Sequence, residues 1–139
     1  MKYLMKQELA GERRRYKISK LPPYMIFHIK RLKKTEFTHE HNPTIVTFPI
    51  TSLDMKDYAY SFAAPPGTST MYDLIGNITY ESVWTPGGDE KHVYRAQVKD
   101  FSRDKWFVIQ DLIVEELEKE RMHLAESYIQ VIDLLSECY

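Results

Sequence analysis

With 139 residues, 43% of them hydrophobic, 13% aromatic and 28% charged, the chain can build one domain with an apolar core; two ordinary domains and wholesale disorder are excluded. The net charge of −1 argues against a general nucleic-acid binder, but it hides an asymmetry: residues 1–34 hold 11 Lys/Arg against 2 acids, the rest 8 against 18. The single cysteine, Cys138, rules out an internal disulfide framework and a cysteine zinc site supplied by this chain alone. No run approaches the roughly 20 apolar residues of a membrane-spanning helix, and no secretory signal core follows Met1, so the expectation is a soluble intracellular protein.

In chain order, Met1 to about Arg14 is rich in helix formers and predicts a short, basic helical lead-in over residues 1–15. Alternation begins around Tyr16 and Ile18, and Pro22 and Pro23 punctuate the chain. YMIFHIKRL, from Tyr24, is apolar on both parities and predicts a central strand. KKTEFTHEHN predicts a turn into a short exposed strand, TIVTFPI another strand, and residues 51–71 a long loop with a helical turn near Leu53 to Tyr58. YDLIGNITY, the loop ESVWTPGGDEK, HVYRAQVKD, the turn FSRD and KWFVIQD together predict an antiparallel meander. After it, helical spacing of Ile113, Leu117 and Leu124 runs a helix from about Val114 past Ser127, against the β-favouring Tyr128, Ile129, Val131 and Ile132.

Chemistry-bearing patterns are sparse. There is no Gly-rich loop opening a helix, no P-loop and no nucleophile elbow, so no cofactor is expected. His39 and His41, two apart on a strand, would point the same way, but no third metal ligand is near and a solvated hairpin tip is the simpler reading. The basic tract Arg13, Arg14, Arg15, Lys17 and Lys20, followed by Lys30, Arg31, Lys33 and Lys34, suits phosphate contacts or an acidic protein partner. Tyr16 alone makes no base-stacking platform. Phe27, Phe48, Trp106, Phe107 and Tyr128 read as core.

The ordered blocks LPPYMIFHIKR, NPTIVTFPI, YDLIGNITY, VYRAQV, KWFVIQD and AESYIQV resemble the C-terminal portion of the ubiquitin-specific protease (peptidase C19-like) catalytic domain, from about Tyr16 to Ile132. LPPYMIF, NPTIVTFPI and YDLIGNI are most similar to the inactive branch associated with the spliceosomal tri-snRNP. The resemblance implies an α+β fold: a mainly antiparallel twisted sheet with short helices, like the palm of that papain-like fold. It also implies that the tail after Ala125 returns as a strand.

In the active family, a Cys–His–Asp/Asn triad hydrolyses the bond after a ubiquitin C-terminus, and the cysteine comes from an N-terminal half absent here. Matching the family's Gly-His-Tyr strand on Tyr94 puts Val93 at the histidine position, and the last triad position falls on Gln110. A one-residue shift in both strands would give His92 and Asp111 instead, but side chains alternate faces along a strand. Valine takes no proton, and glutamine cannot offset an imidazolium charge. The resemblance therefore implies a catalytically inactive nuclear scaffold that supports the tri-snRNP through protein contacts, with ubiquitin binding as a retained trait to test. Competing expectations are the C-terminal fragment of an active deubiquitinating hydrolase and RNA binding through Arg13, Arg14, Arg15, Lys17, Lys33 and Lys34. A truncated sheet would also expose apolar surface and favour a homodimer or strand swap.

Overall fold

The computed structural model describes residues 6–9, 12–34, 39–60, 63 and 67–135, and they form a mainly antiparallel β structure. In chain order the strands are β1 (Lys6–Leu9), β2 (Glu12–Arg15), β3 (Tyr24–His28), β4 (Leu32–Lys34), β5 (His39–His41) and β6 (Leu53–Asp54). They continue with β7 (Met71–Trp84), β8 (Glu90–Asp100), β9 (Lys105–Gln110), β10 (Ile113–Leu117) and β11 (Ser127–Leu134). Short 3-10 turns cover Lys56–Tyr58 and Lys119–Leu124. The chain divides into two compact units, residues 1–25, 48–73 and 133–139 in one and residues 26–47 and 74–132 in the other.

The second unit is built on the strand order β10-β9-β8-β7-β11-β3. The predicted meander is present: β7 pairs β8 from Gly76↔Val98 to Trp84↔Glu90, and β8 pairs β9 from Ala96↔Ile109 to Asp100↔Lys105. The strands run further into the expected ESVW loop than predicted, leaving only Thr85 to Asp89 as the connection. There Gly88 takes a left-handed φ of 84° and its N–H donates to the Thr85 carbonyl at 2.9 Å, which is why a glycine serves at that position. Leu74, Tyr80, Trp106, Met122 and Ile132 are buried here together with the polar Asn77, Thr79, Gln97, Ser127 and Gln130. Asn77 donates to Gln97 at 2.7 Å across the β7–β8 ladder, so the cost of burying these two amides is partly repaid.

In the first unit, β6 pairs the opening of β7 (Leu53↔Tyr72, Asp54↔Met71). Leu21, Phe48, Ile50, Leu53, Met55, Ala59, Ala63 and Tyr72 are buried. The Tyr72 hydroxyl donates to the Pro22 carbonyl at 2.6 Å, and its phenol pKa is raised by burial and by the nearby Asp133. Asp54 accepts from the Lys56 N–H at 2.9 Å and the Thr70 hydroxyl at 2.7 Å, which holds the short 3-10 turn in place.

Four expectations need correction. The lead-in is no helix where it is described: β1 and β2 form an antiparallel pair from Lys6↔Arg15 to Leu9↔Glu12, because ladder pairing outweighs a propensity already weakened by about 1 kcal/mol at Gly11. β3 is the last strand in its order, not a central one, with Tyr24, Ile26 and His28 exposed, so only one of its two apolar parities is covered. TIVTFPI forms no strand, since the Asn42 and Thr44 carbonyls are taken by the Arg31 guanidinium at 2.9 Å each and Asn42 turns the chain with its own side-chain oxygen. The helix past Val114 is replaced by β10, the 3-10 turn and β11; the two-residue turn at Asp111 and Leu112, with Asp111 at φ 53°, sends β10 back along β9. The strand after Ala125 follows the family resemblance and not the propensity. Among the aromatics read as core, Phe48 and Trp106 are buried, and Phe27, Phe107 and Tyr128 are half-buried.

Candidate functional site

Strand β8 carries the residues that matter, and its pleat divides them between two faces. Val93, Arg95 and Gln97 share one parity, His92 and Tyr94 the other. The register sets Glu81 opposite Val93, Thr79 opposite Arg95 and Asn77 opposite Gln97 on the first face. Ala96↔Ile109 then brings Arg95 beside Gln110 at the end of β9.

On this first face the Arg95 guanidinium donates to the Gln110 side-chain oxygen and to the Glu81 carboxylate, both at 2.7 Å. Thr79 donates to Glu81 at 3.2 Å. The two positions that the family resemblance assigns to a histidine and its orienting acid, Val93 and Gln110, thus lie on one face, one as an alkyl group and the other as a neutral amide committed to an arginine. An open depression of about 550 Å³ lies beside Arg95, lined also by Glu81, Glu115, Leu117, Leu124 and Glu126 among others. Acids outnumber bases in its lining.

On the opposite face, His92 stacks on Tyr80 with ring centroids 5.0 Å apart, and its Nδ1 lies 3.1 Å from the Ser82 hydroxyl. Tyr94 and Tyr128 tilt against the same Tyr80 ring, and His41 meets it edge-on at 5.1 Å. Burial and the surrounding tyrosines and carboxylates raise the Tyr80 phenol pKa. Asp111 opens the β9–β10 turn and is exposed. Among the described residues no hydrogen bond or ion pair joins His92 to Asp111.

The basic tract falls partly in each unit, and the side chains of Arg13, Arg14, Arg15 and Lys34 lie outside the described residues. Arg13, Arg14 and Arg15 lie on β2, in register with Glu8, Gln7 and Lys6 of β1. Lys17 is exposed, with its ammonium 5.9 Å from the Tyr60 ring centroid. Lys33 pairs Glu40 at 3.8 Å, and Lys34 lies in register with His39. Arg31 is buried, with Nε donating to the Ser127 carbonyl at 2.6 Å and the Glu126 carboxylate 3.8 Å from Nη1; burial lowers its pKa and Glu126 offsets part of that effect. The same carboxylate lies 2.7 Å from His41 Nε2, so His41 is tied into a polar cluster beneath Tyr80. Side-chain positions of His39 fall outside the described residues.

Two features escaped the sequence reading. Arg31 looked like one base in a solvated run, and only its place between β11 and residues 42–44 turns it into a clamp. Arg95 sits in an alternating strand with nothing local to mark its bond to Gln110, which is 15 residues away.

The family model for ubiquitin carboxyl-terminal hydrolases matches residues 2–131. The chain is 46% identical over 127 residues to "Probable mRNA-splicing protein ubp10" of Schizosaccharomyces pombe, covering 90% of this chain and 25% of that protein. It is 40% identical over 118 residues to human "Ubiquitin carboxyl-terminal hydrolase 39", covering 85% of this chain and 20% of that protein. Among solved structures, an essential yeast splicing factor superposes with a TM-score of 0.64 at 26% identity, covering 84% of this chain and 26% of that one. The Ubp8 deubiquitinating module of SAGA superposes at 0.73 with 22% identity over 95% of this chain and 29% of that one, a likeness of fold. The chain therefore spans about a quarter or less of the length of these curated relatives.

Proposed function

We infer that this chain, which belongs to the ubiquitin carboxyl-terminal hydrolase family, is the C-terminal portion of a catalytically silent domain that works in pre-mRNA splicing by holding proteins together. The observation that carries the reading is the pair Val93 and Gln110: the positions that resemble a catalytic histidine and its partner hold a side chain with no removable proton and an amide bound to Arg95. Acyl transfer by a thiol requires a base within hydrogen-bond reach of the nucleophile. His92 faces the other side of the strand, stacked on Tyr80. Likeness to a splicing protein of fission yeast supports a nuclear, spliceosomal setting, with tri-snRNP proteins as partners and no cofactor.

Ubiquitin contact without hydrolysis is part of the same proposal, since inactive members of a hydrolase fold can retain the substrate surface. The test is to express the longest natural product of the gene with an affinity tag, and to compare it with a variant lacking residues 1–139. Tri-snRNP particles should accompany the first and not the second. Equal recovery with both, or recovery with neither, would refute the assignment of partner binding to this domain.

A further inference from the structure

The outer edge of β10 is the most exposed apolar strip of the described residues. Leu112, Ile113 and Val114 are 99%, 61% and 59% exposed, and β10 ends the strand order with β9 as its one partner among the described residues. A free edge of this kind presents unpaired N–H and C=O groups that another strand can complete. The two-residue turn closes on Gln110↔Ile113, which in such a hairpin is a hydrogen-bonded pair. Alternation then turns the main-chain donors and acceptors of Val114 and Glu116 away from β9.

Charge selects the occupant. Residues 111–118, DLIVEELE, hold four acids and no Lys or Arg. Pairing β10 with a second copy would crowd twice that number of carboxylates along one seam, and like charges facing each other across strands are destabilising. On one side of the pleat, Glu116 is already matched by Lys105 at 2.8 Å, with Val114 beside it. On the other side, Glu115 has no ion-pair partner among the described residues and borders the depression with Glu81, Leu117 and Leu124. An arriving strand would therefore meet carboxylates with aliphatic cover on one face and an apolar position on the other.

We propose that β10 is a docking edge for an extended segment of another protein in which basic and apolar residues alternate. The basic side chains reach the depression beside Glu115, and the apolar ones cover Val114. The proposal goes beyond the assignment of a silent domain, because it concerns main-chain pairing at an edge and holds whether or not the face with Val93 performs chemistry.

The experiment uses the 139-residue chain and a fluorescein-labelled peptide of about ten residues, alternating arginine and valine, in anisotropy titrations. A counterpart N-methylated at every residue keeps the charge and the side chains but loses every donor. The unmethylated peptide should bind at least about tenfold more tightly, since strand addition runs on main-chain bonds. Val114→Pro should lower its affinity by a similar factor, and an outward-facing N–H makes proline tolerable at that edge. Glu115→Lys should weaken binding without shifting the unfolding temperature, given the exposure of that side chain. Equal affinity for the two peptides would overturn the proposal, because charge alone would then explain binding whatever the variants do. A dimer of the free chain that Val114→Pro dissolves would overturn it too, by making a second copy the occupant.

Discussion

The two faces of β8 differ in kind although they are one residue apart. One is a polar lattice in which Glu81, Arg95 and Gln110 satisfy each other at 2.7 Å, next to a valine. The other is aromatic, with Tyr80 at its centre and His92, Tyr94, Tyr128 and His41 around it. A histidine therefore sits beside the position where the family resemblance seeks one, and its chemistry is directed elsewhere. Proximity in sequence says little about a site built on a strand; parity decides.

The largest effect should come from the support under the aromatic face. Arg31 satisfies three main-chain carbonyls and meets Glu126, whose carboxylate lies 2.7 Å from His41 Nε2. Arg31→Ala leaves a half-buried carboxylate and those carbonyls without their cation, and urea unfolding should show a loss of about 3 kcal/mol or more. A loss below about 1 kcal/mol would mean that water replaces the guanidinium readily, and the clamp would have to be abandoned.

On the polar face, Arg95→Met keeps much of the stem but removes both bonds to Glu81 and Gln110. The pair is partly exposed, so the expected cost is about 1 kcal/mol. Combining it with Glu81→Gln should cost less than the two changes added together, because the two groups share one interaction. Strict additivity in the double-mutant cycle would dissolve the lattice.

A control lies in the first unit. The bonds from Lys56 and Thr70 lower the pKa of Asp54, so its contribution to stability is complete above the unfolded carboxyl value and disappears as pH falls through the lower folded one. Asp54→Asn should remove that part of the acid sensitivity while leaving the responses of the Arg31 and Arg95 variants unchanged. An acid profile identical to that of the parent chain would exclude Asp54 as its source.

The smallest effect is expected at His92. Its ring is exposed and its partners are Ser82 and Tyr80, so His92→Ala should change stability by no more than about 0.5 kcal/mol in thermal unfolding. A larger loss would show that the ring is part of the core beneath Tyr80.

The meander was readable from the sequence because β7, β8 and β9 alternate strongly and Pro86, Gly87 and Gly88 mark their turn. What failed was local propensity under tertiary pairing. Residues 114–127 favour a helix as an isolated stretch, yet the turn at Asp111 pairs β10 with β9 instead. TIVTFPI alternates like a strand, but Arg31, more than ten residues upstream, takes the Thr44 carbonyl at its start and the Asn42 carbonyl just before it. At the candidate site, the opposed parity of His92 and Val93 followed from strand geometry alone. The bonds from Arg95 to Gln110 and from His92 to Ser82 required register between strands, which no local pattern encodes.

The most direct measurement is reaction of the longest natural gene product with ubiquitin bearing a C-terminal electrophile, followed by intact mass. With a valine where the family resemblance places the histidine, the account predicts no covalent adduct at neutral pH, in the parent protein or in His92→Ala. An adduct that forms in the parent and is lost in His92→Ala would put the imidazole on the reacting side and contradict the account.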